Sequence, residues 1–170
     1  MSGRAIMEID ILVEDASWDD VDLEAVAQKA GTATLNALGL MPEAFAVSIL
    51  ACDDDRIAAL NADFRDKPTP TNVLSWPSED RYVAIGQMPL LPDSAASGPP
   101  SELGDIAIAH GVCTREAADM DRPFEHHVTH LLVHGMLHLL GFDHIVDADA
   151  SLMEGIETRV LATLGVPDPY

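Results

Sequence analysis

The residues best suited to chemistry lie in one stretch, His134-Gly-Met-Leu-His138-Leu-Leu-Gly141-Phe-Asp-His144. Helical residues four apart share a face, so His134 and His138 can offer two imidazoles to one metal ion. Glycine readily ends a helix by turning left-handed, and Gly141 stands where such a reversal would bring His144 back toward that pair. Three neutral imidazoles with a fourth position open describe catalytic zinc, because structural zinc is usually closed by four protein ligands. The spacing H-x-x-x-H-x-x-G-x-x-H is that of the metzincin proteases, whose second position is a glutamate base. Here that position is Gly135. A metal can still lower the pKa of water toward about 7, so hydrolysis is retained while proteolysis recedes.

His126 and His130 continue the four-residue ladder, so spacing alone does not select a pair. The glycine and the third histidine favour His134, His138 and His144. His126, His127 and His130 are expected on a solvated helix face or behind the ligands, and His110 has the same status. Asp143 is a candidate for orienting a histidine or handling a proton, and equally a turn residue.

A second cluster runs from Leu60-Asn61-Ala-Asp-Phe64-Arg65-Asp-Lys67 into Pro70-Thr71-Asn72-Val73-Leu74-Ser75-Trp76-Pro77. Arg65 could hold a phosphate through a two-pronged hydrogen bond, and Lys67 could add a point charge. Thr71 and Ser75 are hydroxyl-bearing candidates for substrate binding. Equally, Arg65 could pair with Asp63 or Asp66 on the surface.

The elements that must position these residues follow from periodicity. Strands are expected at 7–13, 45–51, 72–76 and 103–109, and helices at about 21–38, 53–64, 114–120, 123–141 and 148–164. The stretch 78–100 is rich in proline and small residues and reads as a surface loop or insertion. Strands and helices interleave without a linker, so residues 1–170 read as one α+β hydrolase domain. Its core would be a four-stranded mixed sheet with about five helices packed on it.

At 48% hydrophobic and 22% charged residues, the composition is that of a globular chain with a core. The start of the chain alternates apolar and acidic residues and lacks the apolar run of a signal peptide. Leu131 to Phe142 is too short and too rich in histidine to span a bilayer. Cys52 and Cys113 show no CxxC pattern and read as free thiols, so a cytoplasmic location without membrane contact is expected. The formal net charge of -20 excludes non-specific nucleic-acid binding through a broad basic face. Any RNA role must rest on a local patch, a metal or a partner that delivers the substrate.

Three segments in order resemble the YbeY family of single-strand-specific endoribonucleases. They are Asn61 to Pro77, then Leu103-Gly104-Asp105-Ile106, then His134 to His144. Trp76 replaces a more usual phenylalanine or tyrosine, Pro68 and Thr69 fall in a variable stretch, and 78–100 aligns with nothing. The resemblance implies one metal ion, zinc, on His134, His138 and His144, and a functional arginine at Arg65. It further implies maturation of the 3′ end of 16S ribosomal RNA, ribosome quality control, and association with small-subunit ribosomal proteins and the Era GTPase. Two rivals stand beside it: a metallopeptidase-like hydrolase, and a non-catalytic ribosome-assembly factor with a structural metal.

Overall fold

The computed structural model describes residues 6–93 and 98–170. Four strands form one sheet: β1 (Glu8–Val13), β2 (Phe45–Cys52), β3 (Val73–Pro77) and β4 (Ser101–Ala109), in spatial order β1-β2-β4-β3. β1 and β4 run parallel to β2, whereas β3 is antiparallel to β4, so the sheet is mixed as expected. Five α-helices accompany it: α1 (Leu23–Ala37), α2 (Asp54–Arg65), α3 (His110–Asp119), α4 (Phe124–Leu139) and α5 (Asp147–Thr163). Short 3-10 turns at Ala16–Asp20 and Pro42–Ala44 complete the described chain.

Alternation along β4 divides the core in two. Ile106 and Ile108 face α1, α4 and α5 in the main cluster, while Ala107 and Ala109 face α2 with Cys52, Ile57 and Leu74. α4 is the hub. It packs on β3, β4, α1, α3 and α5, and Leu131, Leu132, Val133, Met136, Leu137 and Leu139 are all buried. The histidines therefore ride on the best-anchored helix of the molecule. Among the described residues, no helix is long and apolar enough to cross a membrane.

The ends of two helices shape the site. α2 is capped by Asp53, whose carboxylate accepts from Arg56 N–H at 2.8 Å, and it stops at Asp66, which is left-handed at φ 57°. α4 ends in a Schellman turn: Phe142 N–H donates to the Leu137 carbonyl and Gly141 N–H to that of His138, both at 3.0 Å. Gly141 has φ 103°, and a Cβ there would lie 2.7 Å from the Cβ atoms of Arg81 and Pro89. No other residue fits.

Three expectations need correction. α3 begins at His110, not Thr114, because Asp54 on α2 caps it from outside by accepting from Val112 N–H at 3.0 Å. His127 is not solvated. It is buried, with Nε2 2.9 Å from Glu116, since it lies about 100° around the helix from the ladder, facing α3. His110 is half-buried, its ring 5.0 Å from Trp18 and 4.9 Å from Phe124. The described residues 78–93 and 98–100 carry no helix or strand, and α5 holds part of the first stretch. The buried Asp149 of α5 accepts from Tyr82 O–H at 2.7 Å and from Gly86 N–H at 2.8 Å.

Candidate active site

The turn at Gly141 folds His144 against α4. The ring centroids of His134, His138 and His144 lie 4.6, 4.9 and 4.9 Å apart, and their ligand atoms fall within 4.8 Å of one another. His134 and His138 are partly buried, and His144 is exposed at the mouth. Each of the first two has a protein acceptor for Nδ1–H: a Glu157 oxygen at 2.7 Å for His134, and the Phe142 carbonyl at 3.0 Å for His138. That leaves the two Nε2 atoms as lone pairs facing each other at 3.0 Å.

Facing lone pairs repel unless a cation lies between them, and two nitrogens on tetrahedral zinc sit roughly 3.4 Å apart. The donor set therefore fits a borderline-soft divalent ion. Burial pushes the His138 imidazole down to about 4, helped by His134 and His144 and opposed by Asp143 and the Phe142 carbonyl. Burial also lowers His144, as does the charge of His134. Neutral imidazole is the form that binds metal.

Two adjoining cavities of about 390 and 430 Å³ flank the triplet, sharing Arg65, Ser75, His138 and His144. β3 makes one wall by alternation. Leu74 packs with the α2-side core and Trp76 against it, while Val73 and Ser75 line the first cavity together with Thr71, Asn72 and Tyr170. Phe64 packs edge-on against Trp76 at 5.3 Å, and Arg65, the last residue of α2, lines both cavities. Among the described residues Arg65 makes no ion pair, so the pairing with Asp63 or Asp66 does not occur.

The other candidates divide. Thr71 and Ser75 line the first cavity, whereas the exposed Lys67 lines neither. Asp143 lines the second cavity, and its carboxylate accepts from His144 N–H at 2.7 Å, the bond of a turn residue. A Cβ on Gly135 would meet Ile106 Cδ1 at 3.1 Å, so this position is packed against β4 and is not open for a base.

Sequence reasoning missed Glu157, and the signal was present. The buried row on α5 is Asp149, Met153, Ile156, Glu157, Val160 and Leu161, a helical apolar stripe with two carboxylates in it, of which Glu157 lines the first cavity. It also missed Arg81 of the 78–100 segment, which lines the second cavity.

The family model described as Endoribonuclease YbeY matches residues 8–165. The chain belongs to the YbeY family. A protein of Jannaschia sp. named Endoribonuclease YbeY is 62% identical over 165 residues, covering 96% of this chain and all of its own length. A Dinoroseobacter shibae protein of the same name is 61% identical, covering 95% of this chain and 90% of its own. A solution structure of a Thermotoga maritima protein shares the fold, with a TM-score of 0.54 and 22% identity over 92% of this chain and 91% of that one.

Proposed function

We propose that this YbeY-family chain is a metal-dependent endoribonuclease that cuts single-stranded RNA. One observation carries the reading: three convergent imidazoles share a cleft with an arginine that makes no ion pair among the described residues. The names of the relatives supply the substrate class. His134, His138 and His144 would hold one ion, and zinc suits their all-nitrogen donor set. When bound, such an ion supplies a Lewis acid for a phosphoryl oxygen and makes water more acidic.

The remaining work falls to side chains. Arg65 forks onto the non-bridging phosphate oxygens and stabilises the charge that builds there as the P–O bond breaks. Its position at the end of α2 costs little to hold, because the Phe64–Trp76 contact fixes the neighbouring residue. Thr71 and Ser75 donate hydrogen bonds to the RNA strand lying over β3, and Lys67 adds charge at the approach. Asp143 keeps His144 in the turn. The exposed acidic surface repels duplex and bulk RNA, which favours short unpaired segments delivered by partners. Small-subunit ribosomal proteins and the Era GTPase fit that need. Action at the 3′ end of 16S ribosomal RNA, in ribosome quality control and in the cytoplasm, completes the proposal.

The test is selectivity. Zinc-loaded protein incubated with unstructured RNA and, separately, with casein is expected to cut the RNA alone. Cleavage of casein with intact RNA would establish a peptidase instead. His134→Ala is expected to keep the fold and lose RNA cleavage; unfolding of that variant would favour a structural metal.

A further inference from the structure

Glu157 carries more of the site than its distance from substrate suggests. Its carboxylate is fully buried, with Oε1 2.7 Å from His134 Nδ1 and Oε2 accepting from His130 Nε2 at 2.8 Å and Tyr170 O–H at 2.6 Å. Both oxygens serve as acceptors and together receive three donors, the pattern of a carboxylate and not of a carboxylic acid. Among the described residues, no lysine or arginine pairs with it, and its partners are two imidazoles and a phenol.

A buried carboxylate that no cationic side chain pairs with is costly, and three hydrogen bonds offset that cost only in part. The other partly buried imidazole rests on a neutral acceptor, the Phe142 carbonyl. Of the two partly buried ligands, His134 alone is hydrogen-bonded to a carboxylate. We propose that Glu157 is the electrostatic anchor of the metal: its charge, relayed through His134 Nδ1–H, is balanced by the bound cation. The proposal rests on the three-histidine reading of the site. It makes Glu157 a positioning residue that sets the tautomer and basicity of His134 and touches neither the ion nor the RNA.

The consequence is an asymmetry between the metal-free and loaded protein. Among the described residues no lysine or arginine pairs with the Glu157 carboxylate, so in the metal-free protein its charge lacks the balance that a bound cation supplies. Glu157→Gln keeps the shape and removes that charge. It should leave the metal-free protein as stable as the wild type or more so, while weakening metal binding about 10- to 100-fold. By linkage, the rise in melting temperature on adding zinc should shrink to match the affinity lost. Tyr170→Phe removes one donor and keeps the charge, so it should leave the affinity nearly unchanged.

The experiment measures zinc affinity by competition with a chromophoric chelator, and thermal unfolding at pH 8 with and without zinc, for the wild type and both variants. The proposal expects lost affinity with retained metal-free stability in Glu157→Gln alone. An unchanged affinity in Glu157→Gln overturns it, as does a variant that unfolds without metal. Equal affinity losses in Glu157→Gln and Tyr170→Phe would assign the effect to hydrogen bonding and overturn it too. If the wild type binds no zinc, the three-histidine reading itself fails, a result distinct from these.

Discussion

Gly104 sits where β4 must bulge, and replacing it with alanine tests how tightly β3 is held against the site. The register between β2 and β4 shifts there, pairing Ala46 with Glu102 and then Ser48 with Asp105, so Leu103 and Gly104 oppose Val47 alone. Gly104 has φ 141°, and a Cβ would overlap the Trp76 carbonyl oxygen, with Leu139 Cδ2 at 3.0 Å and Pro77 Cα at 3.1 Å. The first and last of these are backbone atoms of β3 and cannot swing aside. Strained backbone costs about 1–3 kcal/mol. Overpacking costs about 1–3 kcal/mol more. Stiffening the unfolded chain returns about 0.4–1 kcal/mol. Gly104→Ala should therefore destabilise by about 3 kcal/mol, a large share of a typical stability of about 5–15 kcal/mol. Urea unfolding reads this as a lower midpoint at unchanged slope. Gly155→Ala is the control: it lies in α5 with nothing within 4 Å of its Cβ and should gain up to about 1 kcal/mol. A Gly104→Ala protein within about 0.5 kcal/mol of wild type, the range of ordinary surface changes, would refute the packing argument.

Two further outcomes follow from the structure. Asp149→Ala strips the acceptor from Tyr82 O–H and Gly86 N–H, so it should cost about 1–3 kcal/mol. Limited proteolysis should then cut faster within 78–93; unchanged cutting would mean that Asp149 does not hold the segment. Acid should weaken the metal-free protein early. Unfolded histidine titrates near 6.5. Burial lowers His138 to about 4 and lowers His127 as well, so between about 6.5 and 4 the unfolded chain binds more protons than the folded one. Stability should fall as pH drops from about 6.5 toward 4, whereas a flat profile from thermal unfolding across that window would contradict the burial.

Much of the fold and of the histidine site was legible in the sequence because its signals are local. Gly141 needs a left-handed turn, four-residue spacing aligns His134 with His138, and alternation along 103–109 marks the two-faced strand β4. What was not legible depends on distant partners. The start of α3 is set by Asp54, more than fifty residues earlier in the chain, and the environment of His127 is set by Glu116 on another helix. The 78–100 segment read as a surface loop or insertion because the residue that holds Tyr82 and Gly86, Asp149, lies on α5. Glu157 was visible as a polar break in an apolar stripe, but its meaning came from His134, a neighbour only in space.

The central claim is that Arg65 serves the chemistry on RNA while the three histidines hold the metal. The direct measurement is metal content and cleavage of single-stranded RNA, side by side, for wild type and Arg65→Ala. Removal of one preorganised charge donor typically costs about 10²–10³ in kcat. The account predicts a loss of that order with zinc stoichiometry and melting temperature unchanged, since Arg65 is exposed and makes no ion pair among the described residues. An Arg65→Ala protein that cleaves at the wild-type rate, or that loses its zinc, would contradict it.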